Sequence, residues 1–256
     1  ITFLVEDKRI IQSLNNDVLK AMNRDQSEKD VIDLLSVAPD YFENISVDLI
    51  LGLPGVTEGE WKSLLHQIVE WPIKHVSVYF LTVHEGTRLY FGLRRGQIIL
   101  PREESYIKMY DWTTAFLNKK GFLQYEVSSF AKEGFQSKHN TVYWSRLPFK
   151  GFGIGACSFD GKRRLQNEKR FLNYIEGIEA KQDVTCFSEE LDKDQELIEY
   201  LMLGIRQIKG VSIDELQLSL SEGEKERFLE KVKSLQEAGL LRRDRNRIYL
   251  TQRGMG

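Results

Sequence analysis

The residues best suited to chemistry form one short stretch that combines an imidazole, an amide, a phenol and an indole, His139-Asn140-Thr141-Val142-Tyr143-Trp144. Aromatic side chains of this kind either anchor a segment on a core or stack on a flat aromatic ligand. In the second case, His139 would hydrogen-bond the ligand or act as the axial ligand of its metal ion. Both interpretations stay open from the residues alone.

Two acidic residues lie in strand-like apolar segments. Asp48 lies within the nearly continuous apolar run 44–51, and Glu126 lies between Tyr125 and Val127. A buried carboxylate is unfavourable unless it has a partner, and active sites of α/β barrels draw their groups from the carboxyl ends of the strands. The two acids therefore indicate an α/β enzyme whose reaction the residues do not specify.

Other common sites are poorly supported. Cys157 and Cys186 are far apart in sequence, and no CxxC, HExxH or acidic calcium loop accompanies them, so we expect no metal site within this chain. The glycine-rich run 151–155 is followed by a strand-like segment, so it lacks the helix N-terminus that binds phosphate in dinucleotide folds. These glycines more plausibly allow another backbone or a flat ligand to approach closely.

The segments around Asp48 have the order of a parallel βαβ unit. A strand over 44–51 ends in turn residues, Thr57 and Glu60 form a capping box for a helix, and a second strand covers 75–82. Further helices are predicted over 28–37 and 102–120, with strands over 122–129 and 151–159. Repeated αβ units predict a barrel-like or open parallel sheet.

The pattern changes near Lys181, which predicts domains over residues 1–183 and 184–256. Helices are expected over 195–207, from Ser212, and over 224–238, followed by a β-hairpin over 240–251, which is the order of a winged helix. Acidic and basic residues alternate along the third helix, which favours a solvated face over a DNA-binding one. The arginines of the hairpin keep DNA binding as the alternative.

Composition limits the classes of protein further. The chain has 256 residues, a formal net charge of −2 and no apolar run near the roughly 20 residues of a membrane-spanning helix. The charge predicts neither nucleic-acid nor membrane binding, and two cysteines suit the cytoplasm. Because Ile1 is not a methionine, we expect the chain to begin inside a longer protein.

Several motifs together resemble the oxygen-independent coproporphyrinogen III oxidase family of radical S-adenosylmethionine (SAM) enzymes, and its heme-chaperone branch more closely. The matching segments occur in the family's order along nearly the whole chain: Asp48-Leu49-Ile50-Leu51-Gly52-Leu53-Pro54-Gly55, Glu85-Gly86-Thr87, Gln124-Tyr125-Glu126-Val127-Ser128-Ser129-Phe130-Ala131, His139-Asn140 with Tyr143-Trp144, Gly151 to Ala156, and Leu201 to Arg206.

The resemblance implies a partial TIM-like (β/α)6 radical SAM barrel, N-terminally incomplete here, followed by a small winged-helix-like C-terminal domain. The family's [4Fe-4S] cluster is held by a CxxxCxxC loop that this sequence lacks, so the cluster ligands would belong to the full-length protein. Relatives commonly have histidine where this chain has Cys157, a rival heme ligand through its thiolate.

The resemblance also implies roles for individual residues. Gln12, Arg24, Asp48 and Thr82 would bind SAM, with Arg24 on its carboxylate and Asp48 accepting hydrogen bonds from its ribose hydroxyls. His139, Tyr143 and Trp144 would bind heme. No catalytic residue is assigned.

The resemblance implies a heme chaperone in tetrapyrrole metabolism, which uses SAM, a [4Fe-4S] cluster and heme and passes heme to apo-hemoproteins. The alternatives are an oxygen-independent coproporphyrinogen III oxidase, which decarboxylates propionates, and a non-enzymatic winged-helix interaction protein. Whether the chain is an enzyme therefore stays open. Heme or a porphyrin is the expected partner, without nucleic acid or membrane span, and a dimer is the alternative to a monomer.

Overall fold

The fold is known from a computed structural model, which describes residues 8–10, 27–218 and 220–255. The described residues form two compact units. The first contains residues 8–10, 27–137 and 252–255, and the second contains residues 138–218 and 220–251. This division lies between residues 137 and 138, whereas the predicted domain boundary lies between residues 183 and 184. The predicted boundary stays a prediction.

The first unit is built on a mixed sheet with strand order β1-β2-β3-β5-β4. Its strands are β1 (Lys8–Ile10), β2 (Ser46–Leu51), β3 (His75–Phe80), β4 (Leu123–Glu126) and β5 (Ser129–Ala131). Its first helices are α1 (Glu28–Val37), α2 (Glu58–Ile68), α3 (Arg88–Arg94) and α4 (Glu103–Lys119), with a 3-10 turn at Ala38–Asp40. Because β1, β2 and β3 pair in parallel, the predicted βαβ unit is confirmed.

The capping box predicted at the start of α2 is present. The Thr57 hydroxyl accepts a hydrogen bond from the Glu60 backbone N–H at 3.2 Å, and the Glu60 carboxylate accepts one from the Thr57 N–H at 2.8 Å. The backbone N–H groups of Thr57 and Glu60 thereby have acceptors, which fixes where the helix begins.

One face of this sheet and the helices form the core of the first unit. Val47, Leu49 and Leu51 of β2 are at most 1% exposed and belong to one apolar cluster with Trp61 of α2 and Tyr110 of α4. The Tyr110 hydroxyl donates to the Val127 carbonyl oxygen at 2.7 Å, and burial raises the pKa of Tyr110 to about 12. Tyr110 therefore stays a neutral donor at physiological pH.

The single strand predicted over 122–129 is wrong, because the chain reverses within it. β4 and β5 pair antiparallel, with a register shift between Gln124 and Glu126. The turn between them is fixed from outside the segment, since the Ser128 carbonyl oxygen accepts a hydrogen bond from the Val78 N–H at 2.7 Å. No glycine or proline marks the reversal, so local sequence does not reveal it.

The second unit begins with an antiparallel sheet of strand order β6-β7-β8. Its elements are α5 (Lys138–Trp144), β6 (Cys157–Phe159), β7 (Arg163–Asn167), α6 (Phe171–Glu179), β8 (Thr185–Glu190) and α7 (Lys193–Gly204). The strand predicted over 151–159 is wrong in extent. Only residues 157–159 are a strand, because Gly153 and Gly155 have φ angles of 103° and 64°, which extended strands do not use.

The remainder of the second unit has the predicted winged-helix order. It consists of β9 (Val211–Ser212), α8 (Ile213–Leu218), α9 (Glu222–Glu237), β10 (Leu241–Asp244) and β11 (Arg247–Leu250). The hairpin β10–β11 pairs antiparallel and extends through β11 to β9. Its core contains Val211, Ile213, Leu216, Val232 and Ile248. The terminal helix α10 (Gln252–Met255) belongs to the first unit. Among the described helices, none has the length and apolar character that crossing a membrane requires.

Candidate cofactor-binding site

A row of buried polar side chains crosses the sheet of the first unit. Asp48 of β2 lies opposite Ser77 of β3, Ser77 lies opposite Ser129 of β5, and Ser129 lies opposite Glu126 of β4. Side chains at paired positions point to the same face of a sheet. We call Asp48, Ser77, Ser129 and Glu126 the polar row; each of its residues is at most 6% exposed.

The polar row lies on the face of the sheet that is turned away from the helices. Side chains alternate along a strand, and the neighbours of Asp48, Val47 and Leu49, belong to the helix-packed apolar cluster. Val76 and Val78, which flank Ser77, belong to the same cluster. Asp48 therefore points to the face of the sheet opposite the helices, which in a barrel-like sheet is the interior face.

Two hydroxyl groups of the polar row have unused hydrogen-bonding capacity. Within the described part of the chain, Ser77 Oγ and Ser129 Oγ are buried and have no hydrogen-bond partner. A buried polar group without a partner costs about 1–3 kcal/mol, and such groups call for a ligand or a trapped water. Hydroxyl donors beside two carboxyl side chains fit a polar ligand with hydroxyl and carboxylate groups, as SAM has.

A second polar contact lies two residues earlier on the same face. His75 Nδ1 is 2.8 Å from Ser46 Oγ, and His75 Nε2 is 2.8 Å from the Tyr125 hydroxyl. The Tyr125 hydroxyl also accepts a hydrogen bond from the Ser137 N–H at 3.2 Å. Both ring nitrogens of His75 are thus used within the protein, so His75 supports the sheet rather than offering a free group.

The unused hydroxyls lead to a stability prediction. We expect Ser77→Ala and Ser129→Ala each to raise the free energy of unfolding by about 1–2 kcal/mol, because the buried group without a partner is removed. Ser46→Ala is the matched control: it removes a hydroxyl bound to His75, so it should lower stability by about 1 kcal/mol. Hydrogen exchange of β2 and β3 measures all three changes. A loss of stability in both Ser77→Ala and Ser129→Ala would contradict this description of the polar row.

The predicted SAM-binding residues are only partly accounted for. Gln12 and Arg24 lie outside the described residues. Thr82 is exposed, two residues beyond the end of β3, and so follows the carboxyl end of the strand that pairs with β2. Asp48 lies in the middle of β2. Their roles toward SAM stay predictions.

The predicted heme-binding residues lie on helix α5, in the second unit. His139 is exposed and its ring contacts that of Tyr143 edge-on, with centroids 4.8 Å apart, as a spacing of four residues on a helix allows. Trp144 is one residue further around the helix and packs elsewhere: the Arg206 guanidinium lies 4.5 Å from the centroid of its ring. The structure thus joins His139 with Tyr143, while Trp144 packs against Arg206.

The cysteines do not form a cluster site. Cys157 and Cys186 are both free and exposed. In the part of the chain that the structure describes, no group of three or more histidine, cysteine or acidic side chains is arranged to hold a metal ion. Since a [4Fe-4S] cluster is held by several thiolates, the residues of this chain do not fit that group.

Comparison with known proteins agrees with this architecture. The family profile of the HemN C-terminal domain matches residues 191–255. The chain is 33% identical to the heme chaperone HemW of Bacillus subtilis over 245 residues, which is 95% of this chain and 65% of that protein. It is 30% identical to the mitochondrial radical S-adenosyl methionine domain-containing protein 1 of Danio rerio, over 89% of this chain and 53% of that protein.

A solved structure shows the same fold. The coproporphyrinogen III oxidase HemN of Escherichia coli, a radical SAM enzyme, aligns with a TM-score of 0.74 at 21% identity, over 97% of this chain and 61% of that one. The predicted fold class, a partial radical SAM barrel with a winged-helix-like C-terminal domain, is confirmed. The chain thus has the α/β fold of that radical SAM enzyme.

More specifically, residues 191–255 match the HemN C-terminal domain, and nearly the whole chain is similar to the HemW heme chaperones of Bacillus subtilis and Lactococcus lactis. These findings support the predicted HemN-like family and its heme-chaperone branch. The chain spans 65% and 64% of the length of the Bacillus subtilis and Lactococcus lactis chaperones that it matches.

Sequence reasoning identified Asp48 and Glu126 but missed Ser77 and Ser129. A signal for Ser77 exists, since polar or amphipathic residues occupy every second position of β3, at His75, Ser77 and Tyr79. Such alternation predicts that one face of the strand is polar. No comparable signal exists for Ser129, because β5 is only three residues long.

Proposed function

We propose that this protein is a heme chaperone of the radical SAM type, which binds heme and passes it to apo-hemoproteins in the cytoplasm. The observation that carries the proposal is the likeness to the heme chaperone of Bacillus subtilis, which extends over 95% of this chain. The geometry of α5 supports it, because the exposed imidazole of His139 contacts the ring of Tyr143 in a T-shaped arrangement. An accessible imidazole of this kind suits an axial ligand of heme iron.

SAM is the second ligand in this proposal, and the polar row would hold it. Asp48 would accept hydrogen bonds from the ribose hydroxyls, and Ser77 and Ser129 would donate to the remaining oxygen acceptors. Arg24, Gln12 and Thr82 are proposed to complete the contacts. When bound, SAM supplies a sulfonium centre that can be cleaved by reduction.

In this proposal, the residues of the polar row bind SAM and orient it. Buried hydroxyls and carboxyl groups on a rigid sheet are already held in place, so a ligand that replaces water there gains hydrogen bonds at little cost in side-chain entropy. The [4Fe-4S] cluster belongs, in this proposal, to the full-length protein.

The second candidate function is that of a coproporphyrinogen III oxidase, favoured by the shared fold with the Escherichia coli enzyme. One assay separates the two. The full-length reconstituted protein is given coproporphyrinogen III, SAM and a reductant, and in parallel heme and an apo-hemoprotein. Heme transfer without decarboxylation is the expected result. Stoichiometric protoporphyrinogen formation would establish the oxidase instead, and the absence of both activities would favour a non-enzymatic interaction protein.

The role of His139 can be tested by heme titration. We expect His139→Ala to weaken hemin binding by about tenfold or more and to remove the absorption band of imidazole-bound heme, because the axial ligand is lost. His84→Ala is the matched control, since His84 is also exposed but lies outside α5. Cys157→Ser tests the rival ligand, whose thiolate gives a different band. Unchanged affinity and spectrum in His139→Ala would refute its role as ligand.

A further inference from the structure

The second unit contains a cavity whose charged end takes no part in the functions described above, although Tyr143 and Cys157, the candidate heme-binding residues, also line it. It has a volume of about 330 Å³ and lies between the β6-β7-β8 sheet on one side and helices α5 and α7 on the other. All of its lining residues belong to the second unit. Its volume is at the lower end of the range of small-molecule sites.

Most of the cavity wall is apolar and aromatic. Tyr143 and Phe149 contact each other edge-on with ring centroids 4.6 Å apart, and Phe159 follows at 6.4 Å from Phe149. Leu147, Leu165, Phe187 of β8 and Leu203 of α7 also line this wall. Phe187 is 49% exposed, so the cavity opens toward solvent on the side of β8. Such a wall favours an apolar ligand with a flat or chain-like body.

One end of the cavity is charged. Arg146 Nε donates to Glu199 at 3.1 Å, and both side chains are only 17% exposed. Arg164 also forms an ion pair with Glu199, and it lies 3.6 Å from Glu189. Two guanidinium groups of the cavity wall therefore share the single carboxylate of Glu199. The carboxylate of Glu189, which does not line the cavity, partly balances the positive charge of Arg164.

The hydrogen bonds of Arg146 are incomplete. Within the described part of the chain its Nη2 atom is buried and has no hydrogen-bond partner. Its guanidinium also lies 5.4 Å from the centroid of the Phe159 ring, so an apolar surface covers it on one side. A buried guanidinium N–H without an acceptor is unfavourable. A carboxylate in the cavity would accept that hydrogen bond and add one negative charge next to two arginines.

The volume limits the size of the ligand. A cavity of this volume would be filled by about eleven water molecules at liquid density, which corresponds to an organic group of about ten non-hydrogen atoms. A whole porphyrin is several times larger, but one pyrrole ring with its methyl and propionate substituents has about this size. A medium-length fatty acid has the same combination of apolar body and carboxylate.

We infer that this cavity binds an apolar group that ends in a carboxylate, which Arg146 and Arg164 hold while the aromatic wall covers the apolar part. If the ligand is heme, the inference rests on the proposed function. The cavity then holds one edge of the tetrapyrrole, with the propionate that this edge carries. A free fatty acid is the other source of the same chemistry.

The test compares hemin, hemin dimethyl ester, whose propionates carry no charge, and decanoate as probes of the full chain. We expect hemin to bind at least about tenfold more tightly than its ester, as a charge-assisted hydrogen bond predicts. Arg146→Gln should remove this difference. Leu203→Trp, which fills the cavity, should weaken binding of both hemin and decanoate. Arg163→Gln is the control, since Arg163 is an exposed residue of β7 outside the cavity.

The outcomes separate this inference from the proposed function. If hemin binds but its ester binds equally well, and both cavity variants bind hemin as the wild type does, the cavity assignment is overturned and the heme chaperone stands. If decanoate binds in an Arg146-dependent way and hemin does not bind, the carboxylate site is supported with a fatty acid as its ligand, and the proposed function fails. If no probe binds the wild type, the inference is overturned. Leu203→Trp keeps the test decisive if Arg146→Gln does not fold.

Discussion

Replacing Gly52 with alanine is expected to lower the free energy of unfolding of the first unit by about 2–5 kcal/mol. Gly52 directly follows β2 and has a φ angle of 84°, which is unfavourable for alanine. A Cβ atom at this position would lie 1.8 Å from Cε1 of Tyr106, whose hydroxyl donates to the Gly52 carbonyl oxygen at 3.1 Å. The substitution therefore combines backbone strain with the loss or displacement of a packed ring.

Gly55 offers a matched control for Gly52. It also has a left-handed backbone, with φ of 79°, but a Cβ atom there would meet nothing within 4 Å. Gly55→Ala should therefore cost only the backbone term, about 1–2 kcal/mol. In a Tyr106→Ala background, the stability cost of Gly52→Ala should fall to the same value as that of Gly55→Ala. Because the chain has two units and need not unfold in one step, hydrogen exchange of β2 and β3 is the measurement. Equal effects of the two glycine substitutions would contradict the proposed clash.

Replacing Trp61 with alanine is the second substitution with a large expected effect, about 3–5 kcal/mol. Trp61 of α2 is 1% exposed and packs in the core beneath the sheet. Its Nε1 donates to Thr113 Oγ1 of α4 at 2.8 Å, and that hydroxyl donates to the Met109 carbonyl oxygen at 2.6 Å. The indole therefore joins two helices through both packing and a buried hydrogen bond.

Graded substitutions separate these two contributions. Trp61→Phe keeps part of the volume but removes the donor to Thr113, so it should cost about 1–3 kcal/mol. Lys62→Ala, next in sequence, removes a surface pair with Glu58 and a cation–π contact with the Trp112 ring at 5.1 Å, and should cost at most about 1 kcal/mol. Hydrogen exchange of α2 and α4 reports the changes. If Trp61→Ala costs no more than Lys62→Ala, the core described beneath the sheet is wrong.

The polar row and the core have a common origin in β2 and β3. Alternation along each strand sends Val47 and Val76 to the helices and Asp48 and Ser77 to the opposite face. Rigid packing on one face thus fixes the positions of polar groups on the other, as a preorganised binding site requires. Changes such as Gly52→Ala should therefore disturb ligand binding as well as stability.

Elements whose signals are local could be predicted from the amino-acid sequence. The Thr57–Glu60 capping box, the βαβ unit around Asp48 and the order of the winged helix all follow from periodicity, caps and turn residues within short windows. The family followed from motifs spread along the chain, which no single window contains. Asp48 in an apolar strand also indicated a site, because a buried carboxylate is unfavourable unless it has a partner.

Contacts between residues far apart in sequence become visible only in the folded chain. Ser129 joins the polar row because β5 runs antiparallel to β3, and that reversal is fixed by a hydrogen bond from Val78 to the carbonyl of Ser128. Arg146 and Glu199 are 53 positions apart, yet they share one end of the cavity. Trp144 packs against Arg206 rather than with His139 and Tyr143, because it follows Tyr143 by one residue and each residue rotates the side-chain direction on a helix by about 100°. Local propensity carries no information about such pairings, since their energy comes from contacts that exist only after the chain has folded.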